Sequence, residues 1–205
     1  MMGLKTLSLL GKDSLSHPGY GQLIKDKNKI LDLPKGFSYK IIGKTGDQMS
    51  DGFFLPDKPD GMATFPSSKA NEMILVRNHE INPGTPTKDG PFGNKNFKLK
   101  DIRDDLIYDK GKSSPCMGGT TTVIYDVKKQ EVIRQFLSLT GTVRNCAGGP
   151  TPWGTWITCE ETVASIGGPC TKNHGWCFEV PATESPQLNE PVALKEMGRF
   201  NHEAV

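Results

Sequence analysis

Residues 145–161 read NCAGGPTPWGTWITCEE. Two of the chain's three tryptophans, two of its five cysteines, a glycine pair and a double glutamate fall within this one stretch. The second half, from Thr155 to Glu161, is rich in β-formers and ends in two carboxylates, which predicts a strand that delivers acidic side chains at its end. The first half is punctuated by Gly and Pro. Alone, GGPTP reads as a tight turn; a glycine pair also permits conformations in which successive N–H groups face one concavity and hold an anion. Trp153 and Trp156, three apart on an extended chain, point to opposite faces, one into the core and one to wall a site.

The same texture continues outward. FSYKIIG (37–43), MILVRN (73–78), TTTVIYDV (120–127), EVIRQFLSL (131–139), TWITCEE (155–161), GWCFEV (175–180) and PVALKEMGRF (191–200) are short, β-branched or aromatic, and bounded by turn residues. They predict an all-β fold, with 120–139 a hairpin joined across Lys128, Lys129 and Gln130. No apolar stripe sustains a helix beyond about three turns. Residues 1–19, polar and aperiodic, are expected to form a flexible leader, and 20–205 one domain carrying a surface loop over 82–115, where Pro, Gly, Lys and Asp dominate.

A recurrence sharpens the fold. MILVRNHEI (73–81) and EMGRFNHEAV (196–205) both run into Asn-His-Glu, and TWITCEET (155–162) runs a comparable strand into its glutamate pair. Recurring short-strand units point to a β-propeller, whose inner strands present residues around a central channel. Singly, each acid reads as a solvated charge. Jointly, Glu80, Glu160, Glu161 and Glu203 would meet near one axis, where close carboxylates stay ionised only if cations neutralise them. Oxygen donors suit calcium or magnesium, and a thiolate such as Cys146 extends the set to a softer metal such as iron. Arg77 and Arg144, beside these motifs, offer the forked donor geometry that phosphate favours.

Bulk properties exclude more than they assign. The net charge of +2, from 25 basic and 23 acidic residues, gives no field that argues for nucleic acid as the main partner. No run reaches the roughly 18–20 apolar residues of a membrane span. MMGLKTLSLLGK at the start has too short an apolar patch for a signal peptide, so no export address is visible. Cys116, Cys146, Cys159, Cys170 and Cys177 include no C-x-x-C pair; either all five are small core residues, or Cys170 and Cys177 close a loop in an exported protein and leave a spare thiol.

YGQLIKDKNKILDLPKGFSYKII, MSDGFFLPDKPDGMATFP, ILVRNHE, GGTTTVIYD, NCAGGPTPWGTWITCEE, HGWCFEVP and GRFNHEAV together resemble the PhoX family of bacterial alkaline phosphatases, from Tyr20 to Val205. The resemblance implies a six-bladed β-propeller that hydrolyses small phosphate monoesters at an iron and calcium cluster. It implies an exported protein, periplasmic or secreted, and a monomer when full length. It assigns the metal-holding role to Cys146, Glu80, Glu160 or Glu161, and Glu203; beside them Asn145, Gly148, Gly149 and Arg144 are expected to shape the substrate pocket. It also implies that this chain is an N-terminal half, a partial propeller expected to be inactive alone. The rival expectations are a calcium-stabilised propeller that only binds a partner, and a propeller hydrolase of another ester class.

Overall fold

The computed structural model describes residues 19–205. The leader expected over 1–19 lies, apart from Gly19, outside the described residues. Contacts divide the chain into two units between Ile41 and Ile42.

In the first unit, β1 (Leu23–Ile24) pairs antiparallel with β2 (Leu33–Pro34). Asp26 organises the connection. Its carboxylate accepts the Tyr39 hydroxyl at 2.6 Å and the N–H groups of Asn28 and Ile30, and these donors, the hydroxyl first, hold Asp26 down to about 2. The expected strand at 37–43 does not form. Its β-propensity finds no partner ladder, and propensity alone does not make a strand.

The second unit holds a four-stranded antiparallel meander and a three-stranded antiparallel sheet. The meander runs in sequence order through β3 (Pro59–Pro66), β4 (Glu72–His79), β5 (Gly118–Asp126) and β6 (Glu131–Thr142). The expected hairpin is β5–β6, and its turn places Gln130 at φ +57°. The smaller sheet joins β7 (Asn145–Pro150), β8 (Thr155–Glu160) and β9 (Cys177–Pro181). Among the described residues there is no α-helix, only short 3-10 turns, and the sheets do not close into a barrel. The all-β expectation therefore stands.

One core joins the two sheets. Phe65, Ile74, Val76, Ile124, Phe136 and Leu139 from the meander pack with Trp156, Phe178 and Val180 from the smaller sheet. Alternation along β4 explains the seam: Ile74 and Val76 face this core, and Asn78, two residues on, continues the same face with an amide.

Three further sequence expectations are corrected. GGP, read as the start of a turn, belongs to the paired strand NCAGGP, because Gly148 lets β8 approach more closely than any side chain would allow. PVALKEMGRF is not a strand; it holds one bridge from Ala193 to Phe178 and a 3-10 turn, after which Gly198 at φ +81° redirects the chain. Glu203 therefore arrives on irregular chain, unlike Glu80 and Glu161. Finally, residues 82–115 lack strands as expected but are more than a surface loop. Phe92, Ile102 and Ile107 are buried there, forming a second core cluster with Met49, Leu55, Ile81 and Leu137.

Candidate metal centre

The site grows from the corner where β6 passes into β7. Arg144 sits there at φ +52°, a left-handed conformation that disfavours a side chain. Its backbone is clamped on both sides, the N–H donating to Ile81 O at 3.1 Å and the carbonyl accepting from Glu161 N at 2.9 Å. The guanidinium then reaches two carboxylates at once, Glu80 at 3.0 Å and Glu161 at 2.5 Å.

Two residues later Cys146 points into the same neighbourhood. Its sulfur and one carboxylate oxygen from each of Glu161 and Glu203 lie within 4.8 Å of one another. The sulfur also lies 3.2 Å from the main-chain oxygen of Glu203 and 3.3 Å from that of His202. Burial pushes the Cys146 thiol up to about 11, and the charges of Glu203 and Glu161 act in the same direction. A thiol facing two carboxylates, with Arg144 bonded to one of them and to a third, carries an excess of acid. That donor set fits a cation which would draw the thiol into its thiolate form.

The glycine pair matters here through close approach. A Cβ on Gly148 would lie 1.8 Å from Ile157 O, and one on Gly149 would lie 2.4 Å from Val205 O. Gly148 thus lets β7 lie against β8, and Gly149 lets the segment carrying Glu203 lie against β7. Asn145 is fully buried. Its side-chain carbonyl accepts from Thr142 Oγ1 at 2.6 Å and its amide donates to Thr158 Oγ1 at 3.0 Å, which ties β6, β7 and β8 together beneath the thiol.

The other expected residues are distributed as follows. Glu80 joins the group only through Arg144. Glu160 takes the opposite face from Glu161, as alternation requires, and is fully buried. It accepts the N–H groups of Val143, Gly175 and Trp176 and meets His174 Nδ1 at 2.6 Å. Arg77 occupies the face of β4 opposite Asn78, where it donates to Thr121 Oγ1. One of the two tryptophans is in the core as expected, and it is Trp156, whereas Trp153 precedes β8, is 70% exposed and donates to Glu179 at 2.7 Å.

A family model described as alkaline phosphatase PhoX matches residues 18–205. The chain belongs to the PhoX family. No curated protein and no solved structure matches it. PhoX membership brings a phosphatase-type hydrolase and a phosphate ester substrate. Among the described residues no helix is long and apolar enough to cross a membrane.

Sequence reasoning passed over a second cluster in this PhoX chain. Asp109, Cys116, Cys170 and His174 are all buried, with one ligand atom from each lying within 4.8 Å of the others. Cys170 packs with Cys116, while Cys177 faces Cys159 across the β8–β9 ladder at 3.5 Å, so the anticipated Cys170–Cys177 loop closure is replaced by two other neighbour pairs. All five thiols are free. The available signals were Cys116 and Cys170 themselves and the His of HGW; nothing marked Asp109.

Proposed function

We propose that this chain contributes one wall of a metal-dependent phosphomonoesterase centre, in which Cys146, Glu161 and Glu203 hold the cations. The observation that carries the proposal is the convergence of this thiol and these two carboxylates from β7, from the end of β8 and from residue 203. The set suits iron at the sulfur and calcium at the carboxylate oxygens. When bound, such cations neutralise charge that accumulates on the phosphoryl oxygens.

The remaining roles fall to the protein itself. Arg144 holds the Glu161 carboxylate in place and screens it from Glu80, so Glu80 acts from behind the guanidinium. Any guanidinium N–H left free by these carboxylates is available to a phosphate oxygen. Asn145, Gly148 and Gly149 form the floor that fixes the height of Cys146 and admits the segment bearing Glu203. Glu160 serves the buried histidine on the far side of β8.

The same reading takes the β3–β6 meander as one propeller blade and β7–β9 as part of a second, since a four-stranded antiparallel sheet is the unit of that architecture. It takes the protein to be exported, periplasmic or secreted. The test is metal content together with turnover. Cys146→Ala is expected to lose iron while keeping the fold, and to abolish any hydrolysis of p-nitrophenyl phosphate by the iron- and calcium-loaded protein. A Cys146→Ala protein that retains its iron would overturn the assignment. Calcium uptake without iron in the unmutated protein would favour the non-catalytic scaffold.

A further inference from the structure

Away from that centre, two irregular segments are laced together beneath the smaller sheet. The first is strapped to β6 by the bonds Tyr108 N to Thr140 O and Asp109 N to Gly141 O, and is closed on itself by Cys116 N to Asp109 O, all between 3.0 and 3.1 Å. The second, following β8, is drawn onto the first by Thr171 N and Lys172 N, which donate to the Asp109 carboxylate at 2.8 and 2.9 Å, and by Lys112 N, which donates to Pro169 O. Neither segment has a helix or ladder of its own, yet Asp109, Cys116, Cys170 and His174 are each at most 2% exposed.

Their ligand atoms lie close enough together to share one ion. His174 Nε2 lies 3.1 Å from Asp109 Oδ2 and 3.9 Å from Cys116 Sγ. Tetrahedral zinc bonds of about 2.3 Å to sulfur and about 2.0–2.1 Å to nitrogen or oxygen imply ligand–ligand edges of roughly 3.3–3.8 Å. The spacing already present is close to those edges, and all four ligand atoms stay within 4.8 Å of one another. His174 is also oriented as a metal-bound histidine is: Nδ1 donates to the Glu160 carboxylate at 2.6 Å, which leaves Nε2 turned toward the other three groups. Both acids have their charge met by peptide donors, Glu160 by Val143, Gly175 and Trp176, and Asp109 by Gly111, Thr171 and Lys172. Val143 and Ala164 close the apolar side. No ligand atom faces solvent, so the arrangement suits a structural site, without an open coordination position.

We infer that Asp109, Cys116, Cys170 and His174 form a closed structural site for a zinc-class divalent cation, which clips the two irregular segments to each other and to the end of β8. The donor set, two thiolates, one imidazole and one carboxylate, selects a borderline-soft ion of tetrahedral preference over calcium or magnesium. The site shares no ligand with the Cys146 group and stands independently of the phosphatase proposal.

Cobalt(II) titration of the full chain tests it, because thiolate-to-cobalt charge transfer and the intense visible bands of tetrahedral cobalt report on this ligand set directly. The expected result is that Cys146→Ala still takes up one equivalent giving both signals, and that in this background both are lost in Cys116→Ser and in Cys170→Ser. No such signal in Cys146→Ala, or a signal kept in the two serine variants, would overturn the inference. Because a serine variant can fail to fold, the unmutated protein carries a second measurement. After zinc loading, removal of the metal with a chelator is expected to raise alkylation of Cys116 and Cys170 together, relative to Cys159 and Cys177. Alkylation that does not change when zinc leaves, or a Cys116–Cys170 disulfide found by non-reducing peptide mapping, refutes the site.

Discussion

The Trp156 indole N–H donates to Asn78 Oδ1 at 2.9 Å, so a strand of the meander and a strand of the smaller sheet are joined by a side-chain bond inside an otherwise apolar core. Asn78 has no idle atom. The same oxygen accepts from Thr158 Oγ1 at 2.8 Å, and its amide donates to Ala147 O at 2.9 Å, next to Cys146. Replacing it by the isosteric Asn78→Leu removes three hydrogen bonds and leaves the buried Trp156 indole N–H unpaired, a loss of about 1–3 kcal/mol for that group alone. Urea unfolding should show a fall in stability of at least about 2 kcal/mol; an unchanged midpoint would show that the seam is carried by apolar packing alone.

Phe92 tests the status of the long strandless segment. It is fully buried against the second core cluster, and its ring meets Phe53 edge-on with centroids 6.2 Å apart. Phe92→Ala should lower stability by about 3–5 kcal/mol. A loss under 1 kcal/mol would return residues 82–115 to the status of a dispensable loop.

His79 makes the fold acid-sensitive. It is fully buried, with Nδ1 donating to Asp57 O at 3.0 Å and Nε2 accepting from Thr121 Oγ1, a tautomer inferred from its partners. Burial, aided by the nearby Arg77 charge, lowers its pKa to about 3. The unfolded chain takes up a proton near the ordinary value of 6.5 and the folded chain does not, so this contribution is complete above about pH 6.5 and is lost as pH falls toward 3. Unfolding midpoints measured across that window should fall more steeply for the unmutated protein than for His79→Gln. Parallel slopes would remove His79 from the explanation.

Calcium should stabilise the fold through Glu161 and Glu203. A ligand at a hundred times its dissociation constant adds about 2.7 kcal/mol, which thermal unfolding resolves. The upward shift in Tm should disappear in the double variant Glu161→Gln, Glu203→Gln. If the double variant responds as the unmutated protein does, the calcium binds elsewhere.

Gly149→Ala should separate site assembly from folding. The added Cβ meets Val205 O at 2.4 Å and must push residues 203–205 away, while the β7–β8 ladder persists. Reduced metal uptake at Cys146 with a near-native circular dichroism spectrum is the expected pair of results. Full uptake would mean that Glu203 is not needed there.

Legibility in the sequence followed the physics of each element. β4, β5, β6, β8 and β9 were readable because apolar and β-branched residues line them between turn signals. β3 and β7 were hidden, since PDGMATFP and NCAGGP carry the Pro and Gly that ordinarily mark turns, and only a neighbouring strand makes them ladders. The opposite error occurred at 37–43 and 191–200, where apolar residues had no strand to pair with. In the site, Cys146, Glu161 and Glu203 were visible as motif residues. Glu160 was grouped with Glu161, although alternation along β8 sends the two to opposite faces, and what lay behind Glu160 was not readable: the Asp109, Cys116, Cys170, His174 group is assembled from residues without periodicity, by loop-to-loop bonds that leave no mark on composition.

The left-handed turn at Arg144 gives three consecutive residues three destinations. Val143 packs beside Cys116 and Cys170, Arg144 spans Glu80 and Glu161, and Asn145 locks the interior between β6 and β8. Glycine would adopt this bend with greater ease but would leave both acids without their counterion. The two side-chain groups proposed to hold cations share no residue, yet they flank this one turn: Val143 packs on one side of it and Arg144 reaches the carboxylates on the other.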